Sequence, residues 1–304
     1  MNMIVYKELS TLCHDLGFSA RALYFASNTI ENHYHDVEIP KGNGETRLLH
    51  VPDNFMKAIQ RSIAKNILFY YEISPHAVAY RVLGSTKLNA FPHVGKDMVM
   101  KCDIRKFFDH ITFQMLRNKV FPSSVYSESN SILLSVLCTY RGSIPQGAPT
   151  SPVISNIILR DYDLRVGKWC SERNISYTRY CDDMTFSGNF DATKVKAFIK
   201  DELKKEGFFL NGKKTVVLHQ GQRMEVTGIV VNEKISIPRN YKRRLRQELY
   251  YCKKIGWKNH LKKTGIHENV DSYRKKILGR INYVLLIEPN NKEMSELKDW
   301  VLNN

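Results

Sequence analysis

The stretch ISYTRYCDDMTFSG, residues 175–188, limits the architecture of this chain more than any other. Ile175, Tyr177 and Tyr180 precede, and Met184 and Phe186 follow, two adjacent aspartates. Aromatic and branched residues favour a pleated strand; Asp does not, and neighbouring carboxylates repel. The pattern predicts a hairpin with Asp182 and Asp183 at its tip. A third carboxylate accounts for the pair. DMVMKCDI (97–104) alternates as a strand through Met98, Met100 and Cys102, and Asp103 stands at its end. Laid beside the hairpin, that strand brings Asp103 to Asp182 and Asp183. Three carboxylates at one spot need a counter-charge, which divalent cations supply through oxygen ligands. Two Mg²⁺ ions roughly 4 Å apart would stabilise the attacking and leaving oxygens of a phosphoryl transfer. A bare Asp-Asp pair is usually a solvated turn, so the rest of the chain has to decide.

Residues 19–31 are expected to form an amphipathic helix capped by Ser19, with Leu23, Ala26 and Ile30 on one face. VEIPKGNGETRLLHVP (37–52) reads as a hairpin turning at Gly42-Asn43-Gly44, and a helix is expected over 53–70. TSPVISNIILRDYDLRV (150–166) reads as one helix, with Ser151 as N-cap and Pro152 at the first helical position. A further helix is expected over 191–208, ended by Gly207. Short strands follow near 214–218, 224–231 and 234–237, and basic helical stretches close the chain. Strands and helices mix without strict alternation. This predicts an α+β protein: a palm-like sheet backed by helices, with a helical C-terminal lobe.

The 304 residues carry 46 Lys and Arg against 30 acids, a net charge of +16 that calls for a polyanionic partner. No long apolar segment or signal peptide is seen, so nucleic acid is favoured over a membrane, and a cytoplasmic location is expected. Residues 239–280 hold 14 of the basic residues and 3 acids, with Tyr241, Tyr250, Tyr251, Trp257 and Tyr273 interleaved. Such a segment suits a phosphate backbone. The six cysteines form no CxxC pair and suggest neither a disulfide framework nor zinc. His33 and His35 read as surface residues, since they lack the partners a zinc site needs.

KCDIRKFFDHI, IPQGAPTSPVISNI, YCDD, GFFLNGKKT and VTGIVVN occur in that order. They closely resemble the successive palm motifs of reverse transcriptases, and IPKGNGETRLLHVP resembles the fingers hairpin that precedes them. The similarity covers roughly residues 37–237. NAFPH (89–93) and VTG (226–228) match the NAxxH and VTG signatures of bacterial retron reverse transcriptases. The resemblance implies a right-hand polymerase fold: an N-terminal helical extension (1–36), fingers (37–96), palm (97–237) and a basic helical thumb (238–304). It implies RNA-directed DNA synthesis with Mg²⁺ and dNTPs on a cognate non-coding RNA. Synthesis would start from a guanosine 2′-OH and give a branched RNA–DNA product (msDNA). An effector or toxin protein and a role in antiphage defence belong to the same implication, and no membrane partner does.

Carried over residue by residue, the resemblance makes Asp103, Asp182 and Asp183 the metal ligands, helped by the carbonyl of Ile104. Phe108 matches the aromatic that leaves no room for a ribose 2′-OH, while Phe107 is assigned to the core. Gln146 and Gly147 match the loop under the incoming nucleotide. Lys41 and Arg47 match triphosphate contacts of the fingers. Lys213 or Lys214 matches the lysine near the departing pyrophosphate. Val226, Thr227 and Gly228 stand at the expected primer-grip strand, which could equally be an ordinary strand with a glycine bulge. Asn89 and His93 carry a signature whose chemistry the residues do not reveal; RNA binding and local structure both remain open. Lys242, Arg243, Arg244 and Arg246 are the leading RNA contacts of the thumb. Cys181 replaces the alanine of many relatives and puts a thiol, with a potential for oxidation, beside the carboxylates. The competing readings are another bacterial reverse transcriptase of the group II intron kind, an RNA-copying polymerase, which Phe108 argues against, and a non-catalytic RNA-binding polymerase fold.

Overall fold

The computed structural model describes residues 5–40, 44 and 46–304. The chain divides into two compact units, each assembled from two segments: Met1–Gly84 with Met100–Val217, and Ser85–Val99 with Leu218–Asn304. The α+β class expected from the mixed pattern is observed.

In the first unit, β1 (Tyr34–Pro40) and β2 (Thr46–Pro52) pair antiparallel, Tyr34 opposite Pro52 and Pro40 opposite Thr46. This is the predicted hairpin, begun at Tyr34 rather than Val37; Lys41 and most of the turn lie outside the described residues. The helix Ala20–Asn28 is capped by Ser19, whose Oγ accepts from Ala22 N at 3.2 Å. Asp53 caps the helix Asn54–Asn66 through Met56 N at 2.8 Å and also takes His33 Nδ1 at 2.7 Å. His33 is therefore buried, not a surface residue, while His35 is exposed. Ile59 and Ile63, four apart on one helix face, are fully buried.

Strands β3 (Met98–Asp103), β4 (Ser176–Tyr180), β5 (Asp183–Gly188) and β6 (Val216–His219) make one sheet in the order β4-β5-β3-β6. Helix Ala192–Lys205 is capped by Asp191, which accepts from Thr193 N at 2.8 Å. Residues 150–166 are not one helix. Ser151–Ile158 and Arg160–Ser171 are separated at Leu159, where ψ is 7°. No glycine or proline marks this break. Ser151 is the first helical residue, not the cap, and its hydroxyl donates to Pro145 O at 2.8 Å.

In the second unit, β7 (Glu225–Val226) and β8 (Ile229–Val230) pair antiparallel. Residues 224–231 are thus a tight hairpin and not one strand. Thr227 and Gly228 form the turn with φ of 45° and 81°. Positive φ at both central residues is the pattern of a type I′ turn, which permits a two-residue connection. Four helices follow: Arg239–Ile255, Trp257–Thr264, Val270–Ile287 and Lys292–Asn303. Leu245, Leu249, Ile277, Ile281 and Val284 form their core. No described helix is long and apolar enough to cross a membrane.

Candidate active site

Strand alternation and one tight turn bring the acids together. Tyr180 pairs with Asp183, so only Cys181 and Asp182 connect β4 to β5. Cys181 has φ 62°, while Asp182 is not among the residues of positive φ. Such a turn resembles type II′, whose first central position usually holds glycine. The carbonyl of Asp182 accepts from Ile104 N at 3.0 Å, which ties the turn to the end of β3 and so to Asp103. Asp103 is buried. Its Oδ2 accepts from Lys214 Nζ at 2.7 Å and its Oδ1 from Asn211 Nδ2 at 3.1 Å. The Asp103 bond raises the Lys214 ammonium above its ordinary range. The side chain of Lys213 lies outside the described residues.

Asp183 keeps exposed surface. Even so, the atoms crowded around its carboxyl, followed by the charges of Asp182 and Asp103, push it up to about 6. Among the described residues no set of three His, Cys, Asp or Glu converges on a single point as a ready-made metal cage. Hard carboxylate oxygens that repel one another, with Asp103 already drawing the Lys214 ammonium, nevertheless form a donor set that fits Mg²⁺. Asp103, Asp182, Asp183 and the Ile104 carbonyl are the groups that would hold it.

Phe107 is buried against Phe208, with ring centroids 5.7 Å apart, and is core. Phe108 is half-buried at 5.4 Å from Phe107. Gln146 is half-buried, and Gly147 has φ 112°. A Cβ on Gly147 would stand 3.3 Å from His50 O and 3.6 Å from Val51 Cγ2, so β2 approaches this loop as closely as a glycine allows. Arg47 is exposed on β2. Sequence reasoning missed three neighbours of the turn. The Tyr80 hydroxyl shares a hydrogen bond with the Cys181 thiol. Arg179 donates to Cys181 O at 2.9 Å and is paired with Asp163. Nothing in the alternation of β4 marks either partner. Cys181 is itself buried, and burial pushes its thiol up to about 12. A thiol that stays protonated lacks the thiolate on which oxidant sensitivity depends.

The family model for reverse transcriptase (RNA-dependent DNA polymerase) matches residues 39–231. The retron Ec86 reverse transcriptase of Escherichia coli is 30% identical over 256 residues, covering 83% of this chain and 80% of the relative. The retron Ec83 reverse transcriptase of Escherichia coli is 31% identical over 283 residues, covering 88% and 86%. The chain belongs to the retron reverse transcriptases. It is also 32% identical over 282 residues to the retron Mx65 reverse transcriptase of Myxococcus xanthus; that match covers 86% of this chain but spans only 63% of the relative's length.

In this retron reverse transcriptase the two signatures meet inside the second unit. Asn89 Nδ2 donates to Thr227 Oγ1 at 3.3 Å, and Thr227 Oγ1 to Thr86 O at 3.4 Å. Asn89, His93 and Val226 are buried. Burial, then the charge of Lys96, pushes the His93 imidazole down to about 3, so it is neutral at physiological pH. Asn89 is thus tied to the 226–228 turn by its bond to Thr227, and both signature side chains are buried. A β-branched residue at positive φ is an outlier that surrounding bonds must hold, and the Asn89 contact is one such bond.

The four basic residues singled out in the helix Arg239–Ile255 also separate. Lys242 is held by Glu288, at 2.7 Å and 2.9 Å from its two oxygens, and Arg246 lies 3.6 Å from Glu293. Arg243 and Arg244 are exposed and make no ion pair among the described residues. Arg243→Gln with Arg244→Gln is therefore expected to weaken RNA binding and flatten its salt dependence. Removing one arginine–phosphate interaction should reduce the slope of log affinity against log salt by roughly 0.7–0.9. A filter-binding series across salt concentrations measures this, and an unchanged slope would mean that the pair faces solvent only. Lys242→Gln should instead cost stability, because Glu288 loses its cationic partner and keeps only the bonds from Ile237 N and Asn291 Nδ2.

Proposed function

We propose that this chain is the RNA-directed DNA polymerase of a retron. It copies part of a cognate non-coding RNA into msDNA, starting from a guanosine 2′-OH, as one component of an antiphage system with an effector protein. The observation that carries the reading is the turn bearing Asp182 and Asp183, bonded to the end of the strand that bears Asp103, within the segment matched by the reverse transcriptase family. We further assign residues 37–96 to fingers, 97–237 to palm and 238–304 to thumb, behind an N-terminal extension of 1–36.

Bound Mg²⁺ supplies charge neutralisation at the attacking and leaving oxygens. The remaining work falls to the chain. Asp103, Asp182 and Asp183, with the Ile104 carbonyl, would hold the ions. Arg47 and Lys41 bind the triphosphate through donors that match phosphate oxygens. Gln146 and the Gly147 backbone form the floor under the incoming nucleotide. Phe108 packs under C2′ of the sugar and selects dNTPs. Lys214, on Asp103, keeps a positive charge where the pyrophosphate departs. The 226–228 turn and the exposed Arg243 and Arg244 bind RNA, whose shape and 2′-hydroxyls distinguish a structured partner.

The test is to co-express the protein with the RNA encoded beside its gene and treat the isolated nucleic acid with a debranching enzyme specific for 2′–5′ linkages. The expected product loses its RNA branch and runs as free single-stranded DNA. A protein that makes only linear DNA from added primers would contradict the retron assignment and leave the broader reverse transcriptase reading.

A further inference from the structure

An ion pair closed off from solvent lies beside the tip of the β4–β5 hairpin. Arg179 on β4 and Asp163 on the helix Arg160–Ser171 are both fully buried. Arg179 Nε donates to Asp163 Oδ1 at 2.9 Å and Oδ2 at 3.1 Å, and Nη2 donates to Oδ2 at 2.6 Å. The Tyr177 hydroxyl adds a bond to Oδ1 at 2.8 Å. The remaining arm, Nη1, reaches the carbonyl of Cys181 at 2.9 Å. That carbonyl belongs to the peptide joining Cys181 to Asp182. The next peptide, between Asp182 and Asp183, is held through the Asp182 carbonyl by Ile104 N at 3.0 Å. Both peptide planes that flank Asp182 are therefore clamped, one by a buried side chain and one by the backbone at the end of β3. The clamp is needed, because Cys181 holds φ 62° in a place where glycine is usual.

Stability gives no reason for such an arrangement. Replacing a buried ion pair with apolar residues of similar volume is often neutral or favourable. Apolar residues could fill the space of Arg179 and Asp163, but they could not donate to the Cys181 carbonyl. Lysine could not do both tasks either, since it has no fixed fork with which to grip a carboxylate and a carbonyl together.

We propose that Arg179, oriented by Asp163, is a positioning residue that sets the direction of the Asp182 and Asp183 carboxylates. The proposal rests on reading those two acids as metal ligands of the polymerase. It assigns Arg179 no contact with substrate or metal; its effect passes through one carbonyl. Displacing the acids by a fraction of an ångström should reduce turnover and metal affinity while leaving nucleotide binding alone.

The experiment compares full-length wild type, Arg179→Met combined with Asp163→Leu, Arg179→Lys, and Asp182→Asn combined with Asp183→Asn. Circular dichroism and thermal melts come first, followed by kcat and KM for dNTPs and the Mg²⁺ concentration giving half-maximal rate. The apolar pair and Arg179→Lys are both expected to fold. Their kcat should fall on the order of 10- to 100-fold, as small misplacements of reacting groups do. Half-maximal Mg²⁺ should rise several-fold and KM for dNTPs stay near wild type. If the apolar pair does not fold, the same readings on Arg179→Lys decide. A folded variant with wild-type kcat and Mg²⁺ dependence overturns the proposal, provided the double asparagine variant is dead. If the asparagine variant still synthesises DNA, the reading of the two acids fails first and the proposal fails with it.

Discussion

Asp182→Asn combined with Asp183→Asn should abolish DNA synthesis and leave the protein folded. Asparagine matches aspartate in shape and can still accept a hydrogen bond, but it brings no negative charge. The turn does not depend on that charge: it is held by the Asp182 carbonyl, the Cys181 carbonyl and strand pairing. In the wild type, crowding and the neighbouring charges of Asp182 and Asp103 push the Asp183 carboxyl up to about 6. Removing two of the three charges relieves that repulsion, so the melting temperature should stay level or rise. Activity should move the opposite way. Metal-held charge is worth several kcal/mol to a phosphoryl transfer, so a loss on the order of 10³-fold or more is expected. A variant that loses activity by unfolding would show both quantities falling together, and RNA binding would fall with them.

The second large effect concerns sugar choice. Phe108 follows Phe107, yet the two rings differ in environment: Phe107 is buried against Phe208, and Phe108 keeps an open face. Phe108→Ala should make room for a ribose 2′-OH and raise rNTP use relative to dNTP. Steric discrimination of this size is worth roughly 1–3 kcal/mol, or about 10–200-fold in the ratio of specificity constants. Because Phe108 is only half-buried, stability should change less than it would on truncating Phe107. Single-nucleotide incorporation with each sugar checks the ratio; an unmoved ratio would make Phe108 a packing residue.

Much of this site is legible in the amino-acid sequence. The hairpin of 175–188 and the strand ending at Asp103 declare themselves because runs of aromatic and branched residues favour a strand and a carboxylate interrupts such a run visibly; the strands themselves are buried along nearly their whole length. The cap at Ser19 is local in the same way, since its hydroxyl lies three residues from its donor. Features decided by tertiary contact are not legible. The break at Leu159 carries no glycine or proline, so the apolar run of 150–166 reads through it. Thr227 bends at positive φ although threonine disfavours it, which hides a hairpin inside what looks like one strand. Arg179 and Asp163 find each other across 16 positions, and Asn89 and Thr227 across 138. A single sequence contains no local trace of such pairs.

The most direct measurement is extension of a DNA primer on an RNA template, with dNTPs and Mg²⁺, by purified wild type and the Asp182→Asn, Asp183→Asn variant side by side. The account predicts full-length DNA from the wild type, none when the divalent ion is chelated, and none from the variant despite an intact melt. DNA synthesis by the variant at the wild-type rate, or none by a folded wild type on primed RNA and on its co-expressed RNA alike, would contradict it.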